Sequence, residues 1–156
     1  MKITSHLFPE QIRLDVPLGD KGSVLRFVAE VLQDAADAGN ADKIFAALAK
    51  REALMSTGIG GGIAIPHALT PEVDDLAIIL IRLRSPIPYE ALDNLPVDIV
   101  IGMAVPEHET TLHLRALAGI SGLCKKPGML AQIRRADDPG ELWERIRRAE
   151  EGAEGG

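Results

Sequence analysis

The residues best suited to chemistry lie in one segment, Arg51-Glu-Ala-Leu-Met-Ser-Thr-Gly-Ile-Gly-Gly-Gly-Ile-Ala-Ile-Pro-His67-Ala68. A neutral imidazole such as that of His67 is a competent nucleophile near pH 7, because its reference pKa is about 6.5. Pro66 removes backbone freedom immediately before it. Gly58, Gly60, Gly61 and Gly62 open backbone conformations closed to other residues, and such loops can point several N–H groups at one anion. Arg51 offers a forked, permanently charged donor. His113 falls near the start of a helix expected over 108–125, where free N–H groups and a partial positive charge suit an anion. Phosphoryl transfer asks for an in-line nucleophile and for positive or N–H groups around the transferred oxygens. The segment therefore reads as a candidate anion site in which His67 accepts a phosphoryl group.

Each residue also has a plainer reading. A histidine after a proline can be a packing or surface residue, and a glycine cluster can be an ordinary left-handed turn. His113 shares a helical stripe with Leu117 and Ile120, as a core histidine would. An arginine at a helix C-terminus can simply complement the dipole. A metal site built from His67, His108 and His113 is the competing chemistry. Its weakness is spacing: on a helix, residues five apart point about 140° away from each other, whereas zinc wants three or four convergent ligands.

Several elements must position these residues. Residues 11–16 alternate polar and apolar, a short strand signal ended by Pro17 and Gly19. Val24, Leu25, Val28, Val31, Leu32 and Ala35 fall at helical spacing over 21–37. Asn40 can cap a second helix over 41–52. Ile63-Ala64-Ile65 reads as a very short strand stopped by Pro66. Residues 76–83 and 97–105 are near-continuous, β-branched apolar runs, read as central strands buried on both faces. Helices are expected over 108–125, 128–135 and 139–149. Helices before and after the strands imply a single layered α/β domain, a mixed β-sheet flanked by helices on both faces. Residues 1–150 read as that domain and the small, acidic residues 151–156 as a disordered tail.

Composition narrows the function. The chain has 156 residues, enough for one domain with a real core, and a net charge of −6 with a pI of about 5.2. That balance argues against nucleic acid and against an anionic membrane surface as main partners. No run approaches the ~18 apolar residues of a membrane span. A single cysteine, Cys124, excludes an intrachain disulfide, and with no apolar signal segment the expected compartment is the cytoplasm. No cofactor and no metal is expected.

The segment Ser-Thr-Gly-Ile-Gly-x-Gly-Ile-Ala-Ile-Pro-His ending at His67, preceded by Arg-Glu, resembles the active-site segment of the fructose/mannitol-type (type 2) enzyme IIA domains of the bacterial phosphoenolpyruvate phosphotransferase system. It looks closest to the nitrogen-regulatory, PtsN-like branch. The similarity continues through Leu92-Asp-Asn-Leu-Pro-Val-Asp98, Val105-Pro106 and His113-Leu-x-x-Leu117. The resemblance implies a mixed sheet flanked by helices. It implies that His67 is phosphorylated by an HPr-type phosphocarrier, that Arg51 contacts the phosphoryl group, and that His113 is the second active-site histidine. It makes Ser56, Thr57 and Gly60 pocket-lining residues. The implied partners are the carrier and either a regulatory target protein or a IIB domain of a sugar permease. The chain departs from the family at Ala68, where glycine is usual, and at Gly61, where the nitrogen-regulatory branch often has asparagine. His108 has no assignable counterpart.

Overall fold

The computed structural model describes residues 1–37 and 39–155, with side chains up to Gly152. Two strands form its axis. β5 (Ala77–Ile87) and β6 (Val97–Pro106) pair antiparallel, and alternate side chains enter two different cores. Ile79 and Ile81 face one side, while Ile78 and Leu80 face the other. All four are fully buried, as expected for a strand covered on both faces. β1 (Ile12–Val16) adds in parallel to β5. β2 (Gly58–Gly60), β3 (Ile63–Ala64) and β4 (His67–Thr70) complete a mixed sheet. Six strands and five α-helices are present among the described residues.

α1 (Lys21–Ala36) and α2 (Ala41–Leu54) cover one face; α3 (Thr110–Lys125), α4 (Met129–Arg135) and α5 (Pro139–Gly155) cover the other. Helix starts follow local chemistry. Asp20 accepts from the Ser23 N–H at 2.8 Å, and Asn40, the expected cap, accepts from the Lys43 N–H at 3.1 Å. α1 crosses the sheet where β6 has no side chain: a Cβ on Gly102 would lie 2.6 Å from Val28 Cγ1.

Pro66 does interrupt the strand, since β3 stops at Ala64, but the chain returns to the sheet at His67. Ala64 opposes Val100 and His67 opposes Met103, so β3 and β4 run along β6 in one unbroken register. The proline lacks an N–H, but its carbonyl still accepts from the Met103 N–H at 3.0 Å. Ala68 therefore needs no left-handed backbone: it is a buried strand residue opposite Ala104. One expectation needs correction: α5 does not stop near 149, and the expected disordered tail is helical through residue 155, with Gly156 outside the described residues. Glu150 is buried and accepts from the Ile3 and Thr4 N–H groups at 2.6 and 3.0 Å, while Arg147 pairs with Glu151 one turn on. A carboxylate that caps the N-terminal turn gives the end of the chain something to hold.

The Gly102–Val28 contact leaves no room for a methyl group. Gly102→Ala is expected to destabilise the protein by roughly 1–3 kcal/mol, the usual penalty for overpacking a core. Urea unfolding should show a lower midpoint at unchanged slope.

Candidate active site

Because β3 and β4 share one register with β6, side-chain alternation puts His67 on the same side as Ile63 and Ile65, the side covered by α3. His113, in the first turns of α3, meets it there. The two imidazole rings lie 5.0 Å apart between centroids and are tilted by 42°. The helix start contributes this ring and not the residue's N–H, which already donates to Glu109 O at 3.0 Å.

His67 is buried, and its Nδ1 lies 2.6 Å from the carbonyl oxygen of Ile65. A carbonyl can only accept, so Nδ1 carries the proton and the lone pair sits on Nε2. Nε2 is therefore the ring atom with a lone pair to offer. His113 presents the complementary feature: its Nε2 is buried and has no hydrogen-bond partner among the described residues. Such an orphaned polar atom in a native fold marks a place where a ligand or solvent belongs.

Arg51, in the last turn of α2, donates from Nη1 to Met55 O at 2.8 Å, which closes the helix end. Its guanidinium also bears on both histidines. Burial holds the His67 pKa below the usual imidazole value, and the charges of Arg51 and His113 add to this against the opposing Ile65 hydrogen bond. Burial and Arg51 likewise lower His113. Both rings are thus kept neutral at pH 7, next to a fixed positive charge.

The glycine loop is more constrained than its composition suggests. Gly60, Gly61 and Gly62 all have positive φ (100°, 68° and 83°). The Gly61 N–H donates to Asp93 at 3.0 Å, and its carbonyl accepts from Arg134 at 2.9 Å. Arg134 is itself paired in a fork with Asp98. Gly58 donates to Ser56 Oγ at 3.1 Å. The N–H groups of Gly58 and Gly61, two that could have cradled an anion, are already satisfied within the fold. Gly60 faces the Asp93 carboxylate, 3.2 Å from where a Cβ would stand. Ser56 and Thr57, expected to line the pocket, commit their hydroxyls elsewhere. Ser56 Oγ donates to Tyr89 O at 3.2 Å, and Thr57 Oγ1 donates to Glu52 at 2.5 Å.

The structure thus brings together His67, His113 and Arg51. It leaves His108 exposed in the turn before α3, 4.0 Å from its neighbour Glu107. Sequence reasoning passed over Glu52, Tyr89 and Asp93, which hold the loop. The prior signals were the Arg-Glu pair that precedes the loop and the Leu92–Asp98 segment that contains Asp93.

The sequence and the fold agree with known proteins. Residues 5–149 match the family model for the phosphoenolpyruvate-dependent sugar phosphotransferase system, EIIA 2. This chain belongs to that family. It is 33% identical over 147 residues to a nitrogen regulatory protein homolog of Haemophilus influenzae, covering 92% of this chain and 90% of that one. It is 35% identical over 137 residues to the fructose-specific EIIABC component of Bacillus subtilis, covering 88% of this chain and 22% of that one. Among solved structures, the nitrogen regulatory protein IIA-Ntr of Neisseria meningitidis superposes with a TM-score of 0.85 at 28% identity, over 92% of this chain and 98% of that one. This IIA domain has no helix long and apolar enough to cross a membrane among its described residues.

The depressed pKa values carry a sign that can be tested. Both rings are neutral in the folded domain and titrate near 6.5 when unfolded. Below that pH the unfolded chain binds more protons, so stability falls as pH drops from about 6.5 through the lower folded values. Ring-proton NMR titrations should give midpoints below 6.5 for His67 and His113. In Arg51→Ala both midpoints should move up, because a neighbouring positive charge has gone. Unmoved midpoints would place Arg51 outside the site.

Proposed function

We propose that the protein is a phosphoryl-accepting IIA component, charged on His67 Nε2 by an HPr-type phosphocarrier, and that its phosphorylation state is a regulatory signal of the nitrogen type. One observation carries this reading. A histidine with its Nδ1 proton held by a backbone carbonyl faces a second, half-buried histidine whose buried Nε2 has no partner, with an arginine charge beside both.

In the transfer step the phosphorus–donor bond breaks as a P–N bond forms to His67 Nε2. Nδ1–H stays on the Ile65 carbonyl, so the ring needs no tautomer change as it attacks. Arg51 neutralises the charge on the equatorial oxygens, which is the main help a protein can give to this reaction. His113, in its neutral Nε2–H tautomer, donates to a phosphoryl oxygen without gaining a proton. Burial keeps both rings neutral beforehand and the site low in dielectric, which strengthens these contacts.

The surroundings fit a protein donor. Leu54 and Met55 at the end of α2, Ile59 on β2, Leu92 and Leu95 on the loop before β6, and Leu114 beside His113 are all large, apolar and exposed; Leu54 is 79% exposed and Leu114 67%. They sit on the elements that carry or border His67. Apolar residues gathered this way around a polar centre mark an interaction surface. Phosphorylation would add about −1.5 to −2 charges to its middle, enough to change which partner binds.

The fructose-specific relative supports a second reading, in which His67 passes its phosphoryl group to a IIB domain of a fructose- or mannitol-type permease. The chemistry at His67 is the same, and only the acceptor differs.

Incubation with phosphoenolpyruvate, enzyme I and an HPr-type carrier should add the mass of one acid-labile phosphoryl group. His67→Ala should abolish the gain. Arg51→Ala should slow it by roughly 100-fold, the usual loss when one donor to a developing anion is removed, with the domain still folded. No gain in the wild type, or an undiminished gain in His67→Ala, overturns the proposal. Quantitative loss of the phosphoryl group to an added IIB domain would favour the transport reading over the regulatory one.

A further inference from the structure

Glu52 is difficult to account for as packing. It is a carboxylate 7% exposed, in the last turn of α2, where the helix dipole disfavours negative charge. Burying a charge is unfavourable unless it is paired and hydrogen-bonded, and Glu52 is both. Lys21 Nζ, from the first turn of α1, lies 3.0 Å from Oε1. The Thr57 N–H donates to the same oxygen at 3.0 Å, and Thr57 Oγ1 donates to Oε2 at 2.5 Å. Tyr89, under the Lys21 ammonium at 4.6 Å, brings its hydroxyl to 3.3 Å from Thr57 Oγ1. Groups from α1, α2 and the segment after β5 are therefore gathered around one threonine.

That threonine leads to the reactive ring. Its carbonyl accepts from the Ile65 N–H at 2.9 Å, and the Ile65 carbonyl accepts from His67 Nδ1–H at 2.6 Å. The stretch between Ala64 and His67 contains Pro66, which has no N–H with which to anchor itself. The Thr57 carbonyl is the hydrogen-bond partner of the residue just before that break. We propose that Glu52 is a positioning residue for His67: by fixing Thr57 it fixes Ile65, whose carbonyl sets the tautomer and direction of the nucleophilic imidazole. Glu52 touches neither His67 nor a phosphoryl group. This role rests on His67 being the phosphoryl acceptor.

The test has two arms. Ring 15N shifts of His67 in the unphosphorylated domain report its tautomer without any transfer chemistry, and carrier-dependent phosphorylation reports the rate. Wild type should show the Nδ1–H tautomer alone. Glu52→Ala should give mixed tautomers and a rate lower by on the order of 10- to 100-fold, as expected for a misaligned reacting group. Glu52→Gln keeps an acceptor for the Thr57 N–H and should retain the tautomer with a smaller loss of rate, a rescue that a general loss of packing would not show. If Glu52→Ala does not fold, Thr57→Val, which removes only the hydroxyl contacts, should shift the tautomer in the same direction.

A tautomer unchanged in every folded variant, or a shifted tautomer with an unchanged rate, overturns the role of Glu52 while wild-type phosphorylation still stands. A wild-type domain that accepts no phosphoryl group overturns the acceptor reading itself, and with it any part for Glu52 in transfer.

Discussion

The site depends on the edge of the sheet keeping its register with β6 across a proline. From Ile63 to Thr70 the chain must alternate faces so that His67 emerges on the α3 side, yet Pro66 cannot donate to the ladder. Two carbonyls resolve this. Pro66 O still receives the Met103 N–H, and Ile65 O, turned away from the ladder, receives the imidazole proton instead. The interruption that would weaken an ordinary strand thus supplies the acceptor that fixes the tautomer of His67. Everything nearby follows from that geometry: the tilt against His113, the desolvation that keeps both rings neutral, and the value of holding Ile65 from behind.

Rigidity is concentrated in the same region. The glycine loop uses positive φ at three successive residues, a conformation that would leave a free loop with many alternatives. Asp93 and Arg134 remove that freedom by holding the N–H and the carbonyl of Gly61, and Glu52 with Lys21 holds the loop's other end. Preorganisation of this kind suits phosphoryl transfer, where the protein contributes alignment and charge more than covalent chemistry. The outer surface differs in character. Its exposed leucines, with Met55 and Ile59, make few commitments within the domain and leave the surroundings of the site free to meet another protein.

Much of this was legible beforehand. The central strands, the helices over 21–37, 41–52 and 108–125, the Asn40 cap and the layered α/β arrangement all follow from periodicity and local capping, which are short-range properties of the chain. The sequence also marked His67, Arg51 and His113 as a possible anion site, and its resemblance to the IIA family gave them roles.

Tertiary structure decided the rest, since those features depend on residues far apart in the chain. No local rule says that a strand resumes after Pro66; its pairing with β6, more than thirty residues away, does. Ala68 departs from the glycine usual in the family, and the sheet shows it to be an ordinary buried strand residue. Ser56 and Thr57 looked like pocket walls, but Tyr89 and Glu52 draw their hydroxyls into the scaffold. The tail after residue 150 looked too polar to order, until the N-terminal turn supplied partners for Glu150. By itself the sequence determined which groups could react and which segments could form regular structure. Only the fold determined which nitrogen of His67 holds the proton, what stands opposite it, and which buried carboxylate keeps it in place. Hydrogen-bond partners and desolvation are set by what packing brings together.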